Sequence, residues 1–302
     1  MLKQVLTDAV TVRFFMPSAA LAPYISTYYL TEVNLPEGET IEDWLHPEWA
    51  NLRFSHNGSW RAAIGEEPLR PCADFVATGP TSQAVRFVAG TMRAWGIGLL
   101  PLGWARFIGA PAAVSADRFI DGIADPSFAR FPALLDTLFG SVPDAAAEAA
   151  RIDAFLLELL ARTQPAEDEA RILAAHSALL DPDLGTVSDL AERLAMSIRS
   201  LERLCLRAFG FPPKLLLRRQ RFLRSLAQFM LDPSLTWLST LDWQYVDQAH
   251  FVRDFRAFMG MSPRRYAALE HPVLRAAARA RAAAAGAAVQ LLHQPQASAC
   301  AT

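Results

Sequence analysis

Arginine side chains repeated along one short helical segment are the groups of this sequence best suited to binding a charged partner. Arg199, Arg203 and Arg207 recur every fourth residue, so they share one face of a helix. A guanidinium pairs with two acceptors of a guanine base or with a phosphate, which makes this face suited to DNA. The opposite face is apolar and is predicted to pack inward, with Leu201, Leu204, Cys205 and Ala208.

A second segment repeats this arrangement farther along the chain. Its inner face is predicted to hold Phe251, Val252, Phe255 and Phe258. Gly260 and Pro263 end it, as Gly210 and Pro212 end the first helix. Between them Pro213 to Leu231 forms a long helix with Arg218, Arg219, Arg221 and Arg224 around its core.

A shorter helix is predicted before each basic helix. The first is predicted to bury Val187, Leu190, Ala191 and Leu194, with Ser188 as its N-cap, and Ser197 caps the basic helix that follows. The second begins at Trp237 and turns near Gln244. Two short helices joined by a tight turn, with a basic outer face on the second, are what a helix-turn-helix requires.

The stretches LERLCLRAFGFPPKLLLRRQRF and DQAHFVRDFRAFMGMSPRRY resemble the two recognition helices of AraC/XylS-type transcriptional regulators, over residues 184–269. The resemblance implies a rigid connecting helix that holds both recognition helices in successive major grooves. Gln244 departs from the family pattern, in which glycine is usual. Carried over by position, the DNA-binding residues are Ser197, Arg199, Ser200, Glu202, Arg203, Arg207, Lys214, Arg218, Asp247, Gln248, Ala249, His250 and Arg253.

Charge is divided unevenly along the 302 residues. Residues 1–182 carry 13 basic and 22 acidic side chains, a balance of −9, whereas residues 183–270 carry 13 and 9, a balance of +4. Such asymmetry is typical of a DNA-binding part joined to a part that stays off DNA. The modest excess predicts weak, salt-dependent non-specific binding.

The part of the chain before the helix-turn-helix segment is predicted to contain strands. Short β-rich runs separated by Pro, Gly and Asn signals fill residues 10–110, which favours a sandwich or barrel. We therefore expect an α+β protein: a β-barrel, cupin-like sensor domain at 1–115, a helical connector at 116–165, an all-α DNA-binding domain with two helix-turn-helix units at 170–270, and an alanine-rich tail at 271–302 that is frayed or disordered.

The barrel carries the candidate residues for a small-molecule effector. Trp44, Trp60 and Trp95 are suited to lining an apolar pocket, or to filling the core. His46 and His56 have no spacing typical of a metal site, so neither a metal nor a cofactor is expected. In the connector, the apolar face around Ile152 and Leu156 predicts either a dimer seam or packing on its own barrel.

These patterns predict a cytoplasmic, sequence-specific transcription regulator that binds double-stranded DNA and a small-molecule effector and is not an enzyme. A homodimer is expected, and RNA polymerase is a candidate partner. The alternative is a cupin-like enzyme, or an alkyl acceptor at Cys72, tethered to a DNA-binding module. Neither a secretory signal nor a membrane span is expected. Three scattered cysteines do not suggest a disulfide framework.

Overall fold

A computed structural model describes residues 9–56, 58–231 and 239–295. Within these residues the amino-terminal half contains ten strands in two antiparallel sheets. The strands are β1 (Val10–Phe15), β2 (Ile25–Val33), β3 (Ile41–Leu45), β4 (Asn51–His56), β5 (Trp60–Ile64), β6 (Arg70–Pro71), β7 (Phe75–Thr78), β8 (Val85–Ala89), β9 (Met92–Leu99) and β10 (Phe119–Asp121).

The two sheets face each other across an apolar layer, and this pair of sheets is called the barrel. The larger has the order β1-β2-β9-β4-β7-β10 and the smaller the order β3-β8-β5-β6. Trp60, Val85 and Phe87 of the smaller sheet are buried in one cluster with Val12 and Val33 of the larger. Alternating apolar residues on short strands produce this layer, so the expected β-rich amino-terminal part of an α+β fold is confirmed.

The larger sheet extends past the predicted boundary at residue 115. Strand β10 pairs antiparallel with β7, with Ile120 opposite Ala77. Three residues are too few to give a period-of-two signal in the sequence, which is why this edge strand was not expected.

Helices make up most of the remaining described chain. A π-helix, Trp104–Ile108, directly follows the first α-helical turn. The α-helices are α1 (Pro101–Gly103), α2 (Ala112–Ser115), α3 (Pro132–Leu138), α4 (Ala145–Arg162), α5 (Glu169–Leu180), α6 (Val187–Arg193), α7 (Ile198–Phe209), α8 (Pro213–Leu231), α9 (Gln248–Met259), α10 (Pro263–Ala267) and α11 (Pro272–Ala285). None of these described helices is both long and apolar enough to cross a membrane.

Helix α4 packs on its own sheet. Ile152 and Leu156 are fully buried in the core of the chain. The buried carboxylate of Glu148 accepts hydrogen bonds from the indole N–H of Trp95 at 2.7 Å and from Arg93 at 2.6 Å. The apolar face that suggested a dimer seam is therefore used within the chain.

The prediction of a frayed or disordered tail from residue 271 is wrong for its described part. Helix α11 packs against β1 and β3, and a buried side chain of β3 caps it. The carboxylate of Asp43 accepts from the backbone N–H groups of Val273 and Leu274, each at 2.9 Å, and lies 2.9 Å from Nδ1 of His271. A carboxylate at a helix N-terminus satisfies N–H groups that lack partners within the helix.

Polar side chains beyond this cap also bind the tail to the sheets. Arg281 is 5% exposed, donates to Thr27 Oγ1 at 2.6 Å and lies over the ring of Phe14. Gln290 donates to Ser26 Oγ at 3.3 Å. These contacts could not be predicted from composition. Because alanine contributes little buried area, a few polar contacts determine whether the tail packs on the sheets.

The helical and β-rich halves share one apolar core. The Trp49 ring lies 5.5 Å from the rings of both His176 and Phe209, centroid to centroid. The Ala84 N–H donates to the Phe258 carbonyl at 2.7 Å. Because these contacts reach the ends of α7 and α9, the position of both helices is coupled to the barrel.

Replacing Asp43 with alanine is expected to lower the free energy of unfolding by about 2 to 3 kcal/mol, because buried N–H groups lose their acceptor. Urea unfolding of the full chain measures this. The neighbouring Glu42→Ala is the matched control, since its ion pair with Arg86 is exposed and contributes less than about 1 kcal/mol. Equal losses for the two variants would contradict the capping role.

His46 lies at the junction of the two halves, with Nε2 2.7 Å from the Tyr266 hydroxyl. Burial lowers the pKa of His46 from 6.5 to about 3, and His271 adds to the effect. The unfolded chain therefore takes up a proton near pH 6.5, whereas the folded chain does not until about pH 3. The contribution to stability is complete above pH 6.5 and falls as the pH is lowered.

Between pH 7 and pH 5 we expect His46 alone to reduce the free energy of unfolding by about 2 kcal/mol. His46→Asn should lose that much less on the same acidification, measured by urea unfolding at both pH values. An unchanged pH dependence in His46→Asn would show that its burial is not responsible.

Candidate nucleic-acid interface

Helix α7 presents a basic face to solvent. The Ser197 hydroxyl accepts from the Ser200 N–H at 3.2 Å and begins the helix, as predicted. The predicted inner side chains are all buried, and Arg199, Glu202 and Arg203 are exposed. This is the arrangement that a recognition helix needs: apolar contacts fix it, and its polar face stays available.

Glycine is favoured at position 210, where α7 ends, for two separate reasons. Its φ of 83° is in the left-handed region, where a Cβ is unfavourable. A Cβ there would also lie 3.1 Å from Cγ of Pro80, in the loop after β7. The end of the recognition helix therefore touches the barrel directly.

The N-cap predicted for α6 is wrong by two positions. The Thr186 hydroxyl, rather than Ser188, accepts from the Asp189 N–H at 3.1 Å. Both residues have a suitable side chain, but the helix begins at Val187, so only Thr186 has the extended backbone of an N-cap.

Helix α9 repeats the geometry of α7 fifty residues later. The Asp247 carboxylate accepts from the His250 N–H at 2.6 Å, in the place of Ser197 and Ser200. Gly260 ends the helix with a φ of 67°, in the place of Gly210. Arg253 is exposed at the position that corresponds to Arg203, so the two helices offer equivalent arginines.

Ion pairs tie α9 to the connecting helix α8. Asp254 is 1% exposed and accepts from Arg218 Nε at 2.5 Å, Arg221 at 3.2 Å and the Tyr245 hydroxyl at 3.0 Å. Arg221 also lies 3.1 Å from Nε2 of His250. A buried carboxylate that receives three donors fixes the spacing between α8 and α9.

Arg219 lies inside the molecule rather than on the surface with the other arginines of α8. Its side chain is fully buried and donates to the Thr81 carbonyl at 2.6 Å. The guanidinium lies over the rings of Trp49 at 4.5 Å and Phe211 at 5.3 Å. This arginine therefore fastens α8 to the barrel and has no access to DNA.

The structure leaves most of the predicted DNA-binding side chains accessible. Three are partly buried by neighbours: Ser200, Arg218 and His250. The exposed ones are Ser197, Arg199, Glu202, Arg203, Arg207, Lys214, Asp247, Gln248, Ala249 and Arg253.

The turn before α9 was only partly predicted. The short helix expected from Trp237 begins outside the described residues, which resume at Ser239. Gln244, in the place where glycine is usual, donates to the Pro182 carbonyl at 2.5 Å. Trp243 and Val246, which sequence patterns did not single out, are 69% and 88% exposed beside the N-terminus of α9. Their exposure makes them candidate contacts, which only the structure reveals.

The predicted effector residues enclose little space. Trp95 is fully buried, Trp60 is nearly so, and the cavity that both line holds about 70 Å³. Typical ligand pockets hold about 300 Å³ or more. Trp44 lies edge-on to His271, with centroids 6.1 Å apart. In this conformation the tryptophans act mainly as core.

Cys72 has properties opposite to those of a reactive thiol. Burial raises its pKa to about 11, whereas a nucleophilic cysteine needs a lowered pKa. In the described part of the chain, no group of three or more His, Cys, Asp or Glu side chains is placed to hold a metal ion.

A family model described as a helix-turn-helix domain matches residues 190–268. The match lies within the predicted range 184–269 and covers α7, α8 and α9, so the predicted helix-turn-helix resemblance is confirmed. No curated protein sequence matches the chain.

Several solved structures are weakly similar. ToxT from Vibrio cholerae, in a structure at 1.65 Å resolution, is 10% identical to this chain. The match covers 76% of this chain and 97% of ToxT, with a TM-score of 0.40. Unsaturated fatty acid bound ToxT is 9% identical, covering 78% and 97%, with a TM-score of 0.38. The AraC-like activator CuxR is 13% identical, covering 75% and 90%, with a TM-score of 0.26. Similarities this weak carry no inference, so the family match is the comparison that bears on the interface.

Replacing Asp254 with asparagine is expected to lower the free energy of unfolding by about 2 to 3 kcal/mol, because Arg218 and Arg221 lose their carboxylate. The partial exposure of Arg218 keeps the loss below that of a wholly buried pair. Asp247→Asn on the same helix is the control, since asparagine caps a helix as well as aspartate does. Urea unfolding of both variants measures the loss. Equal losses of unfolding free energy would show that the buried network does not stabilise the protein.

Proposed function

We propose that this chain is an AraC/XylS-type transcription regulator that reads double-stranded DNA through α7 and α9 together. The match of a helix-turn-helix domain to residues 190–268 supports the proposal. The observation that supports this proposal is the repeat of one geometry at an interval of fifty residues. In both helices a side-chain cap begins the helix and a left-handed glycine ends it. Arg203 and Arg253 are therefore equivalent in position, and helix α8 joins the two units.

In the proposed complex, each recognition helix places one arginine in the major groove that it enters. Arg203 and Arg253 pair with guanine O6 and N7, and Gln248 with adenine. Lys214 and Arg199 contact phosphates, which set the register but carry no sequence information. Arg218 and Arg221 form ion pairs with Asp254, and the proposal therefore gives them the role of holding α9 and no DNA contact.

Control by a small molecule is the second part of the proposal. The Phe209 ring packs on Trp49 of the barrel side, and the Phe258 carbonyl accepts from the Ala84 N–H. The ends of both recognition helices are thus in contact with the amino-terminal half. A ligand that shifts that half changes the orientation of the helices and hence the affinity for DNA.

Binding to the promoter region of the chain's own gene, titrated with salt, tests the DNA part. Arg203→Ala and Arg253→Ala should each weaken specific binding by roughly 1 to 3 kcal/mol and relax base preference at one position. Arg61→Ala, on the exposed side of β5, is the matched control and should leave binding unchanged. If both recognition-helix variants bind as the wild type does, with the same base preference, the proposed docking is wrong.

A further inference from the structure

A cavity of about 620 Å³ lies outside the barrel, between the π-helix and α4. Its size is within the range of small-molecule sites, unlike the space around the barrel tryptophans. Its main lining side chains are Arg106, Ile108, Arg130, Phe155, Leu159 and Arg162.

The lining combines positive charge with an apolar floor. Three arginines face one carboxylate, Glu158, which pairs with Arg162. In the described part of the chain, Arg130 has no acidic partner, and its guanidinium donates to the Phe107 carbonyl at 3.3 Å. An excess of guanidinium beside apolar side chains favours an organic anion over a neutral or cationic ligand.

The wall of this cavity is an unusual piece of backbone. The Gly109 N–H donates to the Trp104 carbonyl at 3.0 Å, five residues back, which defines a π-helix. Such turns are rare and occur often at functional sites because they redirect side chains. Here the turn places Arg106 and Ile108 on the cavity.

Arg106 connects the cavity to the linker before the DNA-binding half. Its guanidinium donates to Thr163 Oγ1 at 3.0 Å, to the Leu160 carbonyl at 3.0 Å and to Glu169 at 3.3 Å. Thr163 itself lines the cavity. The residues between Thr163 and Glu169 are therefore held at the cavity by one arginine.

The same linker holds an arginine of the first recognition helix. Asp168 forms an ion pair with Arg207 of α7. A polar groove of about 360 Å³ separates the linker from α7, with Glu167 and Asp168 on one side and Ser200, Arg203 and Arg207 on the other. The linker carboxylates thus lie along the face of α7 that carries the predicted DNA contacts.

We propose that this cavity binds a small organic acid with an apolar body, and that binding releases Arg207 from Asp168. The acid group competes with Glu169 for Arg106 and pairs with Arg130, while the apolar body packs on Phe155 and Leu159. Loss of the Arg106 contacts frees the linker, and Arg207 becomes available to phosphate. The second half of this proposal rests on the proposed DNA-binding function, whereas ligand binding does not.

Calorimetry on the full chain without DNA tests the cavity. The probes are 4-phenylbutyrate, 4-phenylbutan-1-ol with the same body and no charge, and inorganic phosphate with charge and no body. We expect 4-phenylbutyrate to bind at least roughly tenfold more tightly than either of the others. Arg130→Ala should weaken it by a similar factor, and Arg61→Ala should not.

Arg162→Ala serves as a second variant of the cavity, and the melting temperature of each variant establishes that it folds. Failure of 4-phenylbutyrate to bind, equal binding of the alcohol, or wild-type affinity in both cavity variants would each overturn the assignment of this site.

DNA affinity measured with and without 4-phenylbutyrate tests the connection to α7. The acid should raise the affinity of the wild type roughly two- to fivefold, the scale of one partly exposed ion pair. Asp168→Asn should show that increase without the acid and no further change with it. Glu167→Gln, with the same change of charge one residue away, should still respond as the wild type does.

If Asp168→Asn and Glu167→Gln behave alike, or the acid binds without changing DNA affinity, the release mechanism is wrong while the DNA-binding function stands. If the wild type binds no DNA under any condition, the proposed function fails, and calorimetry alone still decides the cavity.

Discussion

Burial of the Arg219 guanidinium is the contact on which the arrangement of the helical half depends. A cation away from water is unfavourable unless its surroundings compensate, and burial lowers the pKa of this arginine to about 9. The rings of Trp49 and Phe211 and the Thr81 carbonyl provide compensation. Its Nε and Nη2 atoms have no partner among the described residues, so the position is maintained by the surrounding packing.

Helix α8 transmits that constraint to both recognition helices. It follows α7 after the short Pro212 turn, and its Phe222 ring packs on Phe255 and Phe258 of α9, with centroids 5.4 and 5.1 Å away. The Asp254 network adds a polar restraint at the same boundary. Because Arg219 fastens α8 to the barrel, a change in the barrel reaches both helices through one element.

Local signals in the sequence were sufficient for the helices α7, α8 and α9. Helix periodicity located α7, α8 and α9, and the caps at Ser197, Gly210 and Gly260 fixed their ends. The inner and outer faces of α7 followed from the same spacing. Most of the predicted DNA-binding residues are accessible for the same reason. The periodicity of a short helix predicts which of its side chains are exposed.

Contacts between distant parts of the chain could not be predicted in this way. Four arginines on α8 look alike in the sequence, and only the position of Trp49 distinguishes Arg219 from the rest. The Asp168 partner of Arg207 lies between α4 and α5, 39 residues upstream in the chain. The alanine-rich end looked unable to fold because its anchor, Asp43, belongs to a strand far upstream.

The return of α11 to the sheets bears on how such a module is exchanged between genes. A domain that contacts the rest of its protein on one side only is transferable by recombination as a unit. Here the helix-turn-helix domain itself meets the barrel through Phe209 and Trp49, and the chain that follows the domain meets the barrel through α11 and Asp43. A foreign helix-turn-helix domain must match both contacts, so the two halves of this protein are expected to diverge together.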